Sequence, residues 1–213
     1  MHSLFLHDFK HLKLCKLFNH RFAMESTNFK HIKNLEKALA FYKSIDFSDD
    51  DDDISQLKHA LQTAYWAEQE TTEVSLIFSA FIHNIGYFIP ESLHKGKFSA
   101  IDHQKLGAEY LSRHGFNYHI CTLVKLHTEA KRYLATTQPE YFDNITDIAV
   151  LTFDLQGGFM NQKEEERFLN NPLASQSIQL RVWIDRPWNS DLNTPDFKYY
   201  EDFFTQHVND LMQ

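Results

Sequence analysis

Apolar positions recur every three to four residues along most of this chain, the period of an α-helix that buries one face. Phe29, Ile32, Leu35, Leu39 and Tyr42 set out a first amphipathic helix, which stops before the acidic run Asp49 to Asp53. A second is predicted over Ile54 to Gln69, with Leu57, Ala60, Leu61, Ala64 and Ala67 on one face and His59 beside that stripe. The next, from about Val74 to Tyr87, carries Leu76, Ile77, Ala80, Phe81 and the stretch His83 to Ile85, too apolar for a surface helix. Pro90 closes it, and Lys95 to Ser99, with Gly96, reads as a polar linker. Helices are then predicted around Gln104 to Arg113, Ile120 to Tyr133 and Thr146 to Phe153, the last running into a Gly157-Gly158 turn, and finally over Ser177 to Trp183 and Tyr199 to Leu211. No stretch alternates in the manner of a half-buried strand, and no internal repeat is present. The pattern is that of an all-α helical bundle.

Length and composition fit one such unit. A chain of 213 residues with 43% hydrophobic and 15% aromatic residues can bury one sizeable core. Residues 24–213 read as the domain and residues 1–23 as an N-terminal extension. In that extension Lys10, Lys13, Lys16 and Arg21 interleave with Leu12, Leu14, Leu17 and Phe18, either a basic surface segment or sequence upstream of a second start at Met24. It has no apolar core with a small-residue cleavage site, and nowhere do roughly 18 apolar residues follow one another. A cytoplasmic protein without a transmembrane segment is expected. A net charge of −8 argues against nucleic acid as a partner, because a phosphate backbone calls for a basic face. Cys15 and Cys121 lack the spacing of a disulfide framework or a zinc ribbon.

The one compositional excess is histidine, with 13 in all. His2, His7, His11, His20 and His31 fall in the first helix or before it, without a repeating ligand spacing, and read as surface residues. His59, His83, His103 and His127 sit at helix positions. A single histidine on an apolar helical face is most often a satisfied core residue; four on different helices can meet in a bundle core and bind a metal as neutral imidazoles.

The local wording narrows this further. HALQTAYWAE, FIHNIGYF, DHQKLGAEYL, LHTEAKRYL, FDLQGGFM and LRVWIDRPW resemble the HD-domain mixed-valent di-iron oxygenases of organophosphonate catabolism, relatives of myo-inositol oxygenase, over roughly residues 52 to 205. The resemblance implies an HD-domain bundle, two irons held by four histidines and aspartates, and dioxygen-dependent cleavage of the carbon to phosphorus bond of a 1-hydroxyphosphonate. His59, His83, His103 and His127 match the histidine ligands. The aspartate of the HD pair is Asn84, and the late aspartate ligand is Ile184, with Asp185 one place further on. Lys131, four residues after His127, and Arg181 match cations that meet a small anionic substrate such as a phosphonate. Tyr87 stands where the family has a histidine, and Ala149 where it has a substrate-contacting serine. An aspartate from the Asp49 to Asp53 run could stand in for a missing ligand.

An amide is a neutral, poor bridge between two cations. The metal set expected is thus His59, His83, Asn84, His103, His127 and Asp185, holding one or two irons or another divalent ion, with Lys131 and Arg181 for the substrate. Three readings follow: an oxygenase of altered or reduced activity, a metal-dependent phosphohydrolase, and a non-catalytic ligand-binding or interaction protein on the same scaffold.

Overall fold

A computed structural model describes residues 26–44, 56–90, 102–145 and 147–213. The extension over residues 1–23, the Asp49 to Asp53 run, the Lys95 to Ser99 linker and the side chain of Ala149 lie outside the described residues. The remainder is helical: α1 over 26–43, α2 Gln56–Glu70, α3 Val74–Ile82, a 3-10 turn Ile85–Tyr87, α4 His103–Arg113, α5 Tyr118–Thr137, α6 Pro139–Phe142, α7 Asp147–Phe153, α8 Gln162–Leu169, α9 Ala174–Ile184, α10 Phe197–Gln206 and α11 Val208–Leu211. Among the described residues there is no strand, only an isolated antiparallel bridge of Phe116 with Met212. The chain is an all-α bundle.

Its axis is α5. Asn117 starts this helix by accepting from the Ile120 amide at 2.9 Å, one of the donors a helix N-terminus leaves without a partner. Pro139 prevents its continuation and opens α6 instead. Helices α3, α4 and α9 pack on α5, and α2 lies against α3 and α9. The buried stripe Ile120, Leu123, Val124, Leu126, Ala130 and Leu134 is interrupted by His127 and Lys131, which are equally buried. Phe78, Phe81, Phe116, Tyr200 and Phe204 form an aromatic part of the core, with Phe78 edge-on to Phe204 at 4.9 Å between ring centroids. Each such ring contributes about 1.5–3 kcal/mol by leaving water.

The structure departs from the hydrophobic pattern in three places. The helix expected to reach Tyr87 stops at Ile82; His83 caps it, and Asn84, at φ −94° and ψ 7°, leads into the 3-10 turn. Gly86 gives the reason, since a Cβ there would lie 1.9 Å from the backbone oxygen of His103. The chain leaves α geometry so that this glycine can rest directly on the start of α4. The helix expected over Tyr199 to Leu211 breaks at His207 into α10 and α11. Helices α6 and α8 are additions to the pattern, being respectively too short and too charged to show an apolar stripe.

Candidate metal centre

Three consecutive features of the fold bring the four helical histidines together. α2 presents His59 toward the end of α3, where His83 sits at the C-cap. The 3-10 turn then lays Gly86 on His103, the first residue of α4, and α4 packs along α5, which carries His127 at mid-length. The result is a row of imidazoles. Ring centroids are 5.2 Å apart for His59 and His83, 5.5 Å for His83 and His127, and 5.1 Å for His127 and His103. His83, His103 and His127 are buried and His59 half-buried.

Within this row the Nε2 atoms meet two by two, His59 to His83 at 3.3 Å and His103 to His127 at 3.1 Å. The tautomers of two rings follow from their other nitrogen. His83 Nδ1 lies 2.9 Å from the Ala80 carbonyl and His127 Nδ1 lies 2.7 Å from that of Val124; a carbonyl only accepts, so each Nδ1 carries the proton. In the neutral ring Nε2 is then a lone pair. Burial keeps these rings neutral. It pulls His59 down to about 4, with the charge of Arg181 adding to the effect and Asp185 opposing it. His83 and His127 are held well below the ordinary imidazole value, first by burial and then by neighbouring histidines.

Nitrogens 3.1 to 3.3 Å apart are spaced as two imidazoles sharing one first-row ion, for bonds of about 2.0–2.1 Å and an angle of roughly 95–105°. Each pair therefore fits a divalent metal. Among the described residues no three His, Cys, Asp or Glu side chains gather around one point, so the fit is pairwise.

The oxygen donors of a two-iron centre do not fit. Asn84 donates from Nδ2 to Gln56 Oε1 at 3.0 Å, and Ile184 is a buried hydrocarbon. Asp185 is taken up by Arg181, which donates to it from both Nε, at 2.6 Å, and Nη2, and by the Tyr141 hydroxyl. Lys131 and Arg181, expected to meet a substrate, are 2% and 7% exposed. Lys131 donates to Thr152 Oγ1 at 3.2 Å, and burial together with the positive charge of Arg181 lowers its pKa to about 8. Tyr87 lies flat on His103, 4.0 Å between ring centroids, and shields that ring from water.

Comparison with known proteins gives this arrangement a family. No family model matches the chain. It is 35% identical over 152 residues, 69% of its length and 76% of the relative's, to the glycine-betaine-forming 1-hydroxy-2-(trimethylamino)ethylphosphonate dioxygenase of Leisingera caerulea. It is 33% identical over 153 residues, 70% of its length and 76% of the relative's, to the hydroxymethylphosphonate dioxygenase of Gimesia maris. The chain belongs to the organophosphonate oxygenase family. The uncharacterized protein L432 of Acanthamoeba polyphaga mimivirus is 27% identical over 183 residues, 84% of each chain.

Within an organophosphonate oxygenase scaffold, Tyr141, Gln56 and Gly86 are residues that the sequence pattern did not single out. Tyr141 lies on the short helix α6, for which Pro139 is the only sequence signal. Gln56 opens α2, and Gly86 reads as a helix interior until its contact with His103 is known. Arg132 is a fourth: it donates to the carbonyls of Gly158 at 2.8 Å and Gly157 at 3.0 Å and pairs with Glu164 at 2.9 Å, holding the glycine turn against α5. No helix among the described residues is long and apolar enough to cross a membrane.

Proposed function

We propose that this chain is a metal-binding relative of the phosphonate dioxygenases with altered or reduced activity, its metal held by His59, His83, His103 and His127. The observation that carries the reading is the pairwise Nε2 approach of four imidazoles, two of them with their lone pairs fixed by backbone carbonyls. The family membership supports a small anionic phosphonate as substrate, which Lys131 and Arg181 meet. Bound iron, as one ion or two, or another divalent metal in its place, supplies the redox or Lewis-acid chemistry.

The protein's own residues do the rest. Asp185 and Tyr141 hold the guanidinium of Arg181 in place, and Lys131 brings a second cation from the next turn after His127. Tyr87 covers His103 and limits water there. Reduced activity is supported by Asn84, Ile184 and Asp185, since the first two offer no anionic oxygen and the third is already bidentate on Arg181. The same three positions favour the second reading, a non-catalytic ligand-binding protein on the inherited scaffold.

Metal analysis separates the two. The expected result is fewer than two irons per chain and slow dioxygen uptake with a 1-hydroxyphosphonate. Asn84→Asp combined with Ile184→Asp should raise occupancy towards two, because each change restores a charged oxygen. Two tightly held irons and rapid turnover in the unmodified chain contradict the reduced-activity reading. A stable chain that takes up no metal leaves only the second.

A further inference from the structure

His83 and His127 are each aimed by a hydrogen bond from Nδ1 to a carbonyl one turn back in the chain, 2.9 Å to Ala80 and 2.7 Å to Val124. His103 opens α4, and its ring has a neighbour of another kind. Tyr87 lies on it face to face, with 4.0 Å between centroids and 13° between planes. The residue before, Gly86, lies so close to the backbone of the same histidine that a Cβ would come within 1.9 Å of the His103 carbonyl oxygen. Two consecutive residues of the 3-10 turn thus grip His103, one at its backbone and one at its ring. The Tyr87 amide closes that turn on the Asn84 carbonyl at 3.0 Å, so the phenol is carried by a closed piece of backbone. At 43% exposure Tyr87 is no part of the apolar core, and burial of its own surface does not account for its place.

A ring stacked on an imidazole acts on ligation in two ways. The Nε2 lone pair lies in the ring plane, so holding the plane holds the direction in which the nitrogen can bond, as a flanking hydrogen bond does for His83 and His127. Near-parallel stacking at so short a separation is also not what two electron-rich rings prefer. It becomes favourable when one ring is drained of electrons, as an imidazole is on binding a cation, because the phenol face then meets positive charge. We propose that Tyr87 is a positioning residue of the inner pair, His103 and His127, its ring holding the His103 plane and favouring the metal-bound imidazole over the free one. This rests on the proposed reading that the histidines bind metal, and adds a residue that acts on the ion only through His103. The molecule carries its own comparison. Tyr110 stacks on His114, also at 4.0 Å between centroids, but at the far end of α4 and outside the imidazole row.

Zinc alone, titrated calorimetrically into the full chain carrying His59→Gln, reads the inner pair, since the outer pair has then lost one of its two nitrogens. In that background Tyr87→Leu should weaken zinc binding about threefold to tenfold, the range that an aromatic pair contributes. Tyr87→Phe keeps a ring and should stay within about twofold. Tyr110→Leu removes the other stack and should leave zinc affinity unchanged. Zinc bound as tightly after Tyr87→Leu as before overturns the inference while leaving metal binding in place. So does an equal loss from Tyr87→Phe, which would put the effect on the hydroxyl, or from Tyr110→Leu, which would put it on the general packing of α4. If the chain with all four histidines takes up zinc and the His59→Gln chain does not, the inner pair holds no ion and the inference falls alone. No zinc in either overturns the metal-binding reading as well. Should Tyr87→Leu fail to fold, Tyr87→Gln, polar at a position open to solvent, takes its place with the same expected loss.

Discussion

His103 and His127 lie wholly inside the bundle, roofed by Tyr87 and seated by Gly86, whereas His59 and His83 meet at nearly the same separation with His59 reaching the surface. The side chains around the two pairs differ in kind. Asn84 follows His83 directly, and Asp185 acts electrostatically on His59. The inner pair is thus integral to the packing of α4 on α5. The outer pair is fully buried at His83 and half-buried at His59. The difference teaches that two imidazole pairs of nearly equal spacing can be held in different ways, one enclosed on every side and one open to solvent at His59.

The largest effect that probes this contrast is the response to acid. His59 is pulled to about 4, and His83 and His127 well below their ordinary value, whereas in the unfolded chain each titrates near 6.5. Between about pH 6.5 and 4 the unfolded state therefore binds more protons than the folded one, and stability falls as pH falls. Above about 6.5 both states are neutral at these rings and stability is flat on their account. Melting temperature of the metal-free protein should drop steeply over that window, and His59→Gln should remove only part of the drop because the buried rings remain. A flat profile from 6.5 to 4 would show that the rings are not buried as described.

Gly86→Ala comes next and strikes the inner pair. Its methyl must displace the His103 carbonyl, so we expect a loss of about 3 kcal/mol in urea unfolding, the upper end of overpacking costs. Asn84→Ala, beside the outer pair, breaks one partly exposed hydrogen bond to Gln56 and should cost only about 0.5–1 kcal/mol. Equal losses at the two positions would erase the distinction between a seated pair and an attached one.

The smallest effect belongs to Tyr141→Phe. It removes the hydroxyl that donates to Asp185 but leaves the Arg181 pair whole, for an expected loss of about 1 kcal/mol. The more telling readout is anion affinity, which should weaken as Arg181 gains freedom. Unchanged methylphosphonate binding would show that Asp185 alone fixes the guanidinium.

Much of the fold was legible because most helices bury a long apolar stripe, as α2, α3 and α5 do. What escaped had a physical reason in each case. α8 announces itself through a capping box, Asn161 with Glu164, and not through hydrophobic spacing. The break after Ile82 depends on a contact of Gly86 with a helix that begins 17 residues later, which no local pattern encodes. In the candidate site, the adjacency of the four histidines follows from helices whose faces are readable. The capture of Asp185 by Arg181 and Tyr141 is not readable in this way, since both carboxylate oxygens could have turned to either neighbour and only the packing of α6 against α5 places the tyrosine.

Helix α5 carries His127, Lys131 and Arg132 within little more than one turn, and these three reach respectively the imidazole row, Thr152 and the glycine turn. The helix works as a ruler whose graduations are angular as well as linear. One residue added between His127 and Lys131 would swing everything beyond it by roughly 100°. The lysine would then face a neighbouring helix, and Arg132 would release the carbonyls of Gly157 and Gly158. Spacing along this stretch of α5 is therefore as binding a constraint on these three contacts as residue identity.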